Sequence, residues 1–243
     1  MRPPEYIDSM FSSLFNGASR VLRLLPSQCR VCHAWPAQPV CEACVSRFAQ
    51  PQPRCETCAL PVPQQVRRCG ACVKSPPPLD ACLAAVPYAF PWSDLIVDYK
   101  FHETPGLSHA FALLLRSAPW VEPALEAADI VLPMPLSRQR LQTRGFNQAV
   151  LLAHCLAPDK TDSRLLLRIK DTPAQSSLKR VERLHALKDA FAVDPLRMTQ
   201  LKGARVVLVD DVMTSGASLS CAARALRAAD AAHITALVIA RTE

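Results

Sequence analysis

Val206–Leu219 reads VVLVDDVMTSGASL, and this stretch decides the fold of the chain. Val206 to Val209 are four branched apolar residues in a row, which predicts a buried parallel strand. The strand is expected to end in two adjacent carboxylates, Asp210 and Asp211. A short loop of hydroxyl and small residues follows: Thr214, Ser215, Gly216, Ala217 and Ser218. Leu219 to Ala229 then places apolar residues at helical spacing. This order suits the holding of a phosphorylated sugar. A helix N-terminus offers free N–H groups and positive partial charge to a phosphate. Gly216 lets the backbone approach closely, and the hydroxyls add hydrogen bonds. The carboxylates would meet ribose hydroxyls beyond the carboxyl end of the strand. A plain strand–turn–helix with solvated acids is the alternative, but it requires none of this chemistry.

The stretch resembles the 5-phosphoribosyl 1-pyrophosphate (PRPP) motif of type I phosphoribosyltransferases. The resemblance implies that Asp210 and Asp211 bind the ribose 2- and 3-hydroxyls and that Thr214 to Ser218 cradle the 5-phosphate. Ser215 and Ser218 stand where the usual loop has Thr, and both keep the hydroxyl. The fold expected is α/β, a type I phosphoribosyltransferase-like, mostly parallel sheet with helices on both faces.

A second signal lies toward the other end. Cys29 and Cys32, Cys41 and Cys44, Cys55 and Cys58, and Cys69 and Cys72 form four CxxC pairs. Each pair can give two thiolates to one ion, and two pairs complete a tetrahedral four-cysteine zinc site. Four pairs therefore imply two structural Zn²⁺ ions. Sequential pairing closes the smaller loops and is favoured over interleaving. The intervening residues are rich in Pro, Gln and Arg, so metal binding must stabilise this small zinc-ribbon module. The rival is a disulfide framework of a secreted domain. Glu5 and Asp8 precede any apolar stretch, which argues against a secretory signal and favours a cytoplasmic protein. Cys82, Cys155 and Cys221 fall outside the pattern and read as small core residues.

At 243 residues, half of them hydrophobic, the chain can hold one full α/β domain and a smaller module. No apolar run reaches the roughly 18–20 residues of a membrane span. Residues 1–28 carry an amphipathic helix near Tyr6 to Leu25, residues 29–74 a double zinc ribbon, and residues 79–243 the α/β domain. Ser75-Pro76-Pro77-Pro78 reads as a stiff linker. Strands are expected at Leu83–Phe90, Ile130–Leu132, Leu165–Ile169, Val206–Val209 and Ile234–Ala240. Helices are expected at Ser93–Tyr99, Leu107–Ser117, Asn147–Leu156 and Ala174–Lys188. Alternating strands and helices indicate a mostly parallel sheet.

The net charge of +7 is concentrated. Arg138 to Lys188 holds eleven basic and four acidic residues, an excess equal to that of the whole chain. Such a segment suits a polyphosphate or a nucleic acid. Most of these side chains are expected to be a solvated face. The loop after Ile130–Leu132 reads PMPLSRQRLQTRGFNQA. Parallel strands end on one side of a sheet, so this loop should face Asp210–Ser218, with Arg144 suited to pyrophosphate.

The whole chain resembles the ComF family, phosphoribosyltransferase-like proteins linked to natural competence and use of external DNA. Paired CxxC knuckles, Pro-x-Pro-Leu, RGFNQ at Arg144–Gln148, an Arg-rich helix before Ala190-Phe191 and VDDVxTSG occur in that family's order. The family's lysine near the domain start looks like Lys100, and its glutamine before the helix looks like Gln175. The family's Arg-x-x-Asn appears as Arg183-Leu184-His185-Ala186, so Ala186 replaces the asparagine. The resemblance implies PRPP binding with Mg²⁺, cytosolic handling of single-stranded DNA, and partners among DNA-uptake proteins. Two other readings stand beside it: a nucleobase-salvage phosphoribosyltransferase, and a non-catalytic PRPP-sensing adaptor. An intact ligand loop does not separate binding from turnover, and the acceptor nucleophile and catalytic residues stay open.

Overall fold

A computed structural model describes residues 27–101, 104, 106–170 and 189–243. The expected helices near Tyr6–Leu25 and Ala174–Lys188, with Gln175 and Arg183–Ala186, lie outside the described residues. The chain divides into two compact units at Ser46/Arg47.

In the first unit, Ser27 and Ala37 pair through two backbone hydrogen bonds of 2.8 and 2.7 Å. Among residues 27–46, only Cys29 and Cys44 are buried. A segment with so little apolar burial cannot offset the entropy of ordering its chain by packing alone. Helix α1 (Glu42–Phe48) begins directly after Cys41 and runs across the division.

The second unit opens on another knuckle pair and helix α2 (Gly70–Lys74). Then follow β1 (Ala81–Pro87), α3 (Trp92–Phe101), α4 (Leu107–Ser117), α5 (Val121–Glu126) and β2 (Ile130–Pro133). Next come α6 (Arg138–Arg144), α7 (Gln148–Leu156), β3 (Leu166–Arg168) and β4 (Phe191–Val193). The chain ends with β5 (Arg205–Met213), α8 (Ala217–Ala228) and β6 (His233–Arg241).

Four strands form a parallel sheet in the order β1-β6-β5-β2. Its two central strands, β5 and β6, are nearly continuous apolar runs buried on both sides, the pattern of a covered parallel sheet. Along β5, Val206 and Leu208 share a core cluster with Leu219, Ala222, Ala223 and Leu226 of α8. The alternate residues Val207 and Val209 are equally buried but lie outside that cluster. On that side α7 packs on β5, and α4 packs on β6. Alternation of side chains across the pleat thus gives each face its own helical layer.

The expected strand Leu165–Ile169 exists as β3, but it pairs antiparallel with β4 in a separate two-stranded sheet. The sequence reading does not include β4, Phe191–Val193. The second knuckle pair also sits differently from the sequence division. Its Cys55, Cys58 and Cys72 share a core with Leu79, Cys82 and Met213 of the α/β sheet region. The Glu56 carbonyl accepts from Cys82 N at 2.8 Å, so this knuckle is hydrogen-bonded to edge strand β1. A Pro-rich connection thus joins two parts that pack together, and the apolar knuckle surface covers an otherwise open sheet edge.

Candidate functional site

β5 does not stop at the carboxylates, where the sequence predicts its end. It passes through Asp210 and Asp211 to Met213, because β6 is equally long and continues to pair. Asp210 lies opposite Val238, and Met213 opposite Arg241. Asp211 is buried, and its Oδ1 lies 2.8 Å from Lys100 Nζ at the end of α3. The Asp211 amide donates to Asp210 Oδ1 at 2.9 Å. Burial and the neighbouring Asp211 push the Asp210 carboxyl up to about 7, against the pull of Lys100 and Arg144. The site therefore holds two crowded carboxylates and a single directly paired lysine, a charge state that calls for a cation or hydroxyl donors.

Thr214, Ser215 and Gly216 join β5 to α8. Gly216 adopts a left-handed φ of 73° at the N-cap position. A Cβ there would come within 2.4 Å of Met213 Cε. No side chain caps the helix through Gly216, and the Ser215 hydroxyl accepts from Ala217 N at a long 3.4 Å. The first turn of this 12-residue helix keeps N–H groups available for an anion.

The loop after β2 contains a helix where the sequence predicts irregular chain. Ser137 caps α6 by accepting from Arg140 N, and Gly145 ends it at φ 73°. A serine cap and a terminal glycine seven residues after the first helical position are readable signals for a short helix. Asn147 then caps α7 by accepting from Ala149 N at 2.9 Å, and its amide donates to Met134 O at 3.0 Å. Gln148 is 1% exposed and joins three parts of the site. Its Oε1 accepts from Arg144 at 3.3 Å, its Nε2 donates to Lys100 O at 3.2 Å, and its carbonyl accepts from Tyr99 Oη at 2.8 Å. Gln148 stands within RGFNQ but is absent from the site expected from sequence. Its burial beside two charged groups is a tertiary property. The Arg144 guanidinium lies 4.9 Å from the centre of the Phe101 ring, and Phe101 is 60% exposed.

These parts surround a cleft of about 300 Å³. Six of the expected site residues line it: Lys100, Arg144, Asp210, Asp211, Thr214 and Ser218. Ser215, Gly216 and Ala217 form the turn and are not among the lining residues. Arg140, Asn147, Gln148 and Arg168 add polar lining that the expected set lacked. The loop after β2 faces the Asp210–Ser218 loop, as strand direction required. Of the other basic residues, Lys160 donates to the carbonyls of Leu125, Glu126 and Ala128, which is a structural role. Lys179, Arg180, Arg183 and Lys188 lie outside the described residues.

Both cysteine groups assemble in sequential pairing. Cys29, Cys32, Cys41 and Cys44 form one cluster, and Cys55, Cys58, Cys69 and Cys72 the other. Sulfur–sulfur separations are 3.9 Å for Cys29–Cys44, 3.6 Å for Cys32–Cys41 and 3.7 Å for Cys58–Cys69. A tetrahedron with Zn–S of about 2.3 Å sets its sulfurs roughly 3.8 Å apart, whereas a disulfide needs about 2.05 Å. The clusters therefore fit a tetrahedral thiolate-bound ion and exclude the disulfide framework. The knuckles repeat each other in detail. Cys41 N approaches Cys29 Sγ at 3.4 Å, and Cys69 N approaches Cys55 Sγ at 3.3 Å. Of the remaining cysteines, Cys82 and Cys221 are core residues, while Cys155 is half-buried with Ser108 Oγ at 3.7 Å.

The chain is 30% identical over 185 residues to the DNA utilization protein YhgH of Escherichia coli (strain K12), covering 70% of this chain and 76% of that protein. The chain belongs to the ComF family. Competence protein F of Haemophilus influenzae is 32% identical over 165 residues, 64% of this chain and 70% of that protein. Competence protein ComFC of Bacillus subtilis is 38% identical over 97 residues, 40% of this chain and 38% of that protein. Residues 159–243 match the phosphoribosyl transferase domain family. That match covers β3 to β6, and in this ComF-family chain the lysine of α3 and the β2 loop complete the same cleft. No helix among the described residues is long and apolar enough to cross a membrane.

Proposed function

We propose that this ComF-family protein binds PRPP with Mg²⁺ in the β5–α8 cleft and acts on, or beside, single-stranded DNA in the cytoplasm. The observation that carries the reading is the Asp210–Asp211 pair, continuous with a hydroxyl loop and an uncapped helix N-terminus in one cleft. Asp210 and Asp211 would take the ribose hydroxyls. Thr214, Ser218 and the amides of Ser215 to Ala217 would take the 5-phosphate. Arg144, with Arg140 beside it, would take the pyrophosphate by bidentate hydrogen bonds. Mg²⁺ bound with PRPP would supply neutralisation of pyrophosphate charge. The Asp210 carboxylate suits such a cation, since burial first and the adjacent Asp211 second push its pKa up, and a nearby positive charge would relieve both. The basic segment around Arg138–Arg144 would meet DNA phosphates, and the exposed Phe101 ring a base. The names of the relatives, competence and DNA utilization, agree with this reading and with a place among DNA-uptake proteins.

Thermal melting with PRPP and Mg²⁺ tests it. A ligand at a hundredfold excess over its Kd stabilises the native state by about 2.7 kcal/mol. Asp211→Asn should shrink the shift. No shift in the wild-type protein at millimolar PRPP refutes the reading. The two clusters are proposed to hold one structural zinc each. Elemental analysis should find two ions per chain and one fewer in Cys58→Ser.

A further inference from the structure

The C-terminal end of the sheet contains a buried cation outside the cleft. Arg241, the last residue of β6, is 8% exposed. Its Nε donates to the backbone carbonyl of Cys58, a member of the second cluster, at 2.9 Å. Its Nη1 donates to the carbonyls of Met213 at 3.0 Å and Thr214 at 2.6 Å, and also to Thr242 O. One rigid guanidinium thus joins the knuckle backbone to the first residue of the Thr214–Ser218 loop. A parallel contact runs through side chains. Cys82 Sγ lies 3.4 Å from Met213 Sδ, and Met213 Cε fills the space where a Cβ on Gly216 would stand. Cys82 also donates its amide to Glu56 O, in the same knuckle. Met213 is therefore fixed by the knuckle through Arg241 on its backbone and through Cys82 on its side chain.

We propose that Arg241 is a positioning residue through which the second four-cysteine cluster sets the conformation of the Thr214–Ser218 loop, and hence ligand affinity in the cleft. The inference rests on the reading of that loop as a phosphate cradle. Carbonyls presented by a metal-locked knuckle are fixed before ligand arrives. Arg241 carries that order to the Met213 and Thr214 carbonyls, whose orientation sets the direction of the following amides. A guanidinium can do this because its fork reaches Cys58 on one side and Met213–Thr214 on the other. A lysine keeps the charge but has one compact donor group and cannot bridge both. The first cluster sits in the other compact unit and serves as the comparison. The sequence division, which set both knuckle pairs apart from the ligand domain, predicts instead that loss of the second site leaves ligand binding intact.

Three full-length single variants, Arg241→Lys, Cys58→Ser and Cys32→Ser, and the double variant Cys58→Ser/Arg241→Lys decide between them. Metal content, amide hydrogen exchange over residues 213–218 in the ligand-free protein, and PRPP affinity by calorimetry with Mg²⁺ are measured for each. Arg241→Lys should keep two metals, lose protection in the loop and weaken PRPP by about tenfold, the scale of a typical coupling between sites. Cys58→Ser should lose one metal with the same loop deprotection, whereas Cys32→Ser should lose one metal and leave the loop as in wild type. Adding Arg241→Lys to Cys58→Ser should then weaken PRPP little further. Exchange in β2 and α7 reports whether Cys58→Ser has unfolded the sheet; if it has, Arg241→Lys alone decides. Wild-type protection of the loop in Arg241→Lys, or in a folded Cys58→Ser, overturns the proposal. Because the exchange measurement needs no ligand, failure of wild-type protein to bind PRPP would refute the proposed function and leave this coupling separately decidable.

Discussion

Lys100→Met is the most direct perturbation of the cleft. The Lys100–Asp211 pair is 2.8 Å long, and its side chains keep only 17% and 13% of their exposure. Asp210 lies next to it and is itself poorly solvated. Removing the ammonium leaves two carboxylates facing each other without their nearest cation. Breaking a buried pair from one side is worth about 3–5 kcal/mol, and the residual exposure points to the lower end, about 3 kcal/mol. For a chain of this size that is about 6–12 °C in Tm. The loss should depend on pH in a defined direction. Lys100 holds the Asp210 pKa down, so without it Asp210 keeps its proton to higher pH than its present value of about 7. The destabilisation is complete well above that value, where both carboxylates are charged. The part of it that comes from Asp210 fades as pH falls toward about 5, where Asp210 is neutral in both proteins, and the part due to the broken Lys100–Asp211 contact stays. Thermal melts of ligand-free protein across this range, with millimolar Mg²⁺ as a second arm, provide the assay. Mg²⁺ should recover part of the loss near pH 8 by supplying the missing charge. Lys100→Met/Asp211→Asn should recover more than half of it at every pH. A double variant as unstable as Lys100→Met would trace the loss to packing of α3, and a loss below about 1 kcal/mol would class the pair with solvent-screened surface bridges; either result refutes the electrostatic account.

Asp210→Asn should make the ligand-free protein more stable than wild type above pH 7 and indistinguishable near pH 4. The folded carboxyl has its pKa raised by burial, so the wild-type fold loses stability as pH rises through that window; the same substitution should weaken PRPP with Mg²⁺, and melts with calorimetry check both. Gly216→Ala should destabilise by about 1–2 kcal/mol, since φ is +73° and Met213 Cε must move; an unchanged denaturation midpoint would contradict that strain. Affinity for single-stranded DNA, read by fluorescence anisotropy at two salt concentrations, should fall steeply with salt. It should drop in Arg138→Ala/Arg140→Ala/Arg144→Ala, fall by a stacking contribution of about 1–3 kcal/mol in Phe101→Ala, and be reduced by PRPP. Salt-independent binding would leave the basic segment as a solvated surface.

The sequence alone determined the parts that depend on local order. Four CxxC pairs identified two four-cysteine clusters, because a knuckle is a short-range motif whose sulfurs are brought together by a few turns of chain. VVLVDDVMTSGASL identified the strand, the acids and the helix of the cleft, because burial of a parallel strand and the opening of a helix leave local signatures. The loop after β2, with Pro135 and Arg144, was placed facing that loop by strand direction alone. Tertiary structure decided what depends on partners distant in the chain. β5 extends past the acids because β6 offers registered partners up to Arg241. Gln148 becomes the junction of Lys100, Arg144 and Tyr99 because α3 and α7 meet there. The second knuckle joins the sheet because β1 presents an open edge, and a buried Arg241 satisfies carbonyls where the two meet. Hydrogen bonding and burial between segments distant in the chain leave no periodic trace in either segment, so only the folded chain displays them.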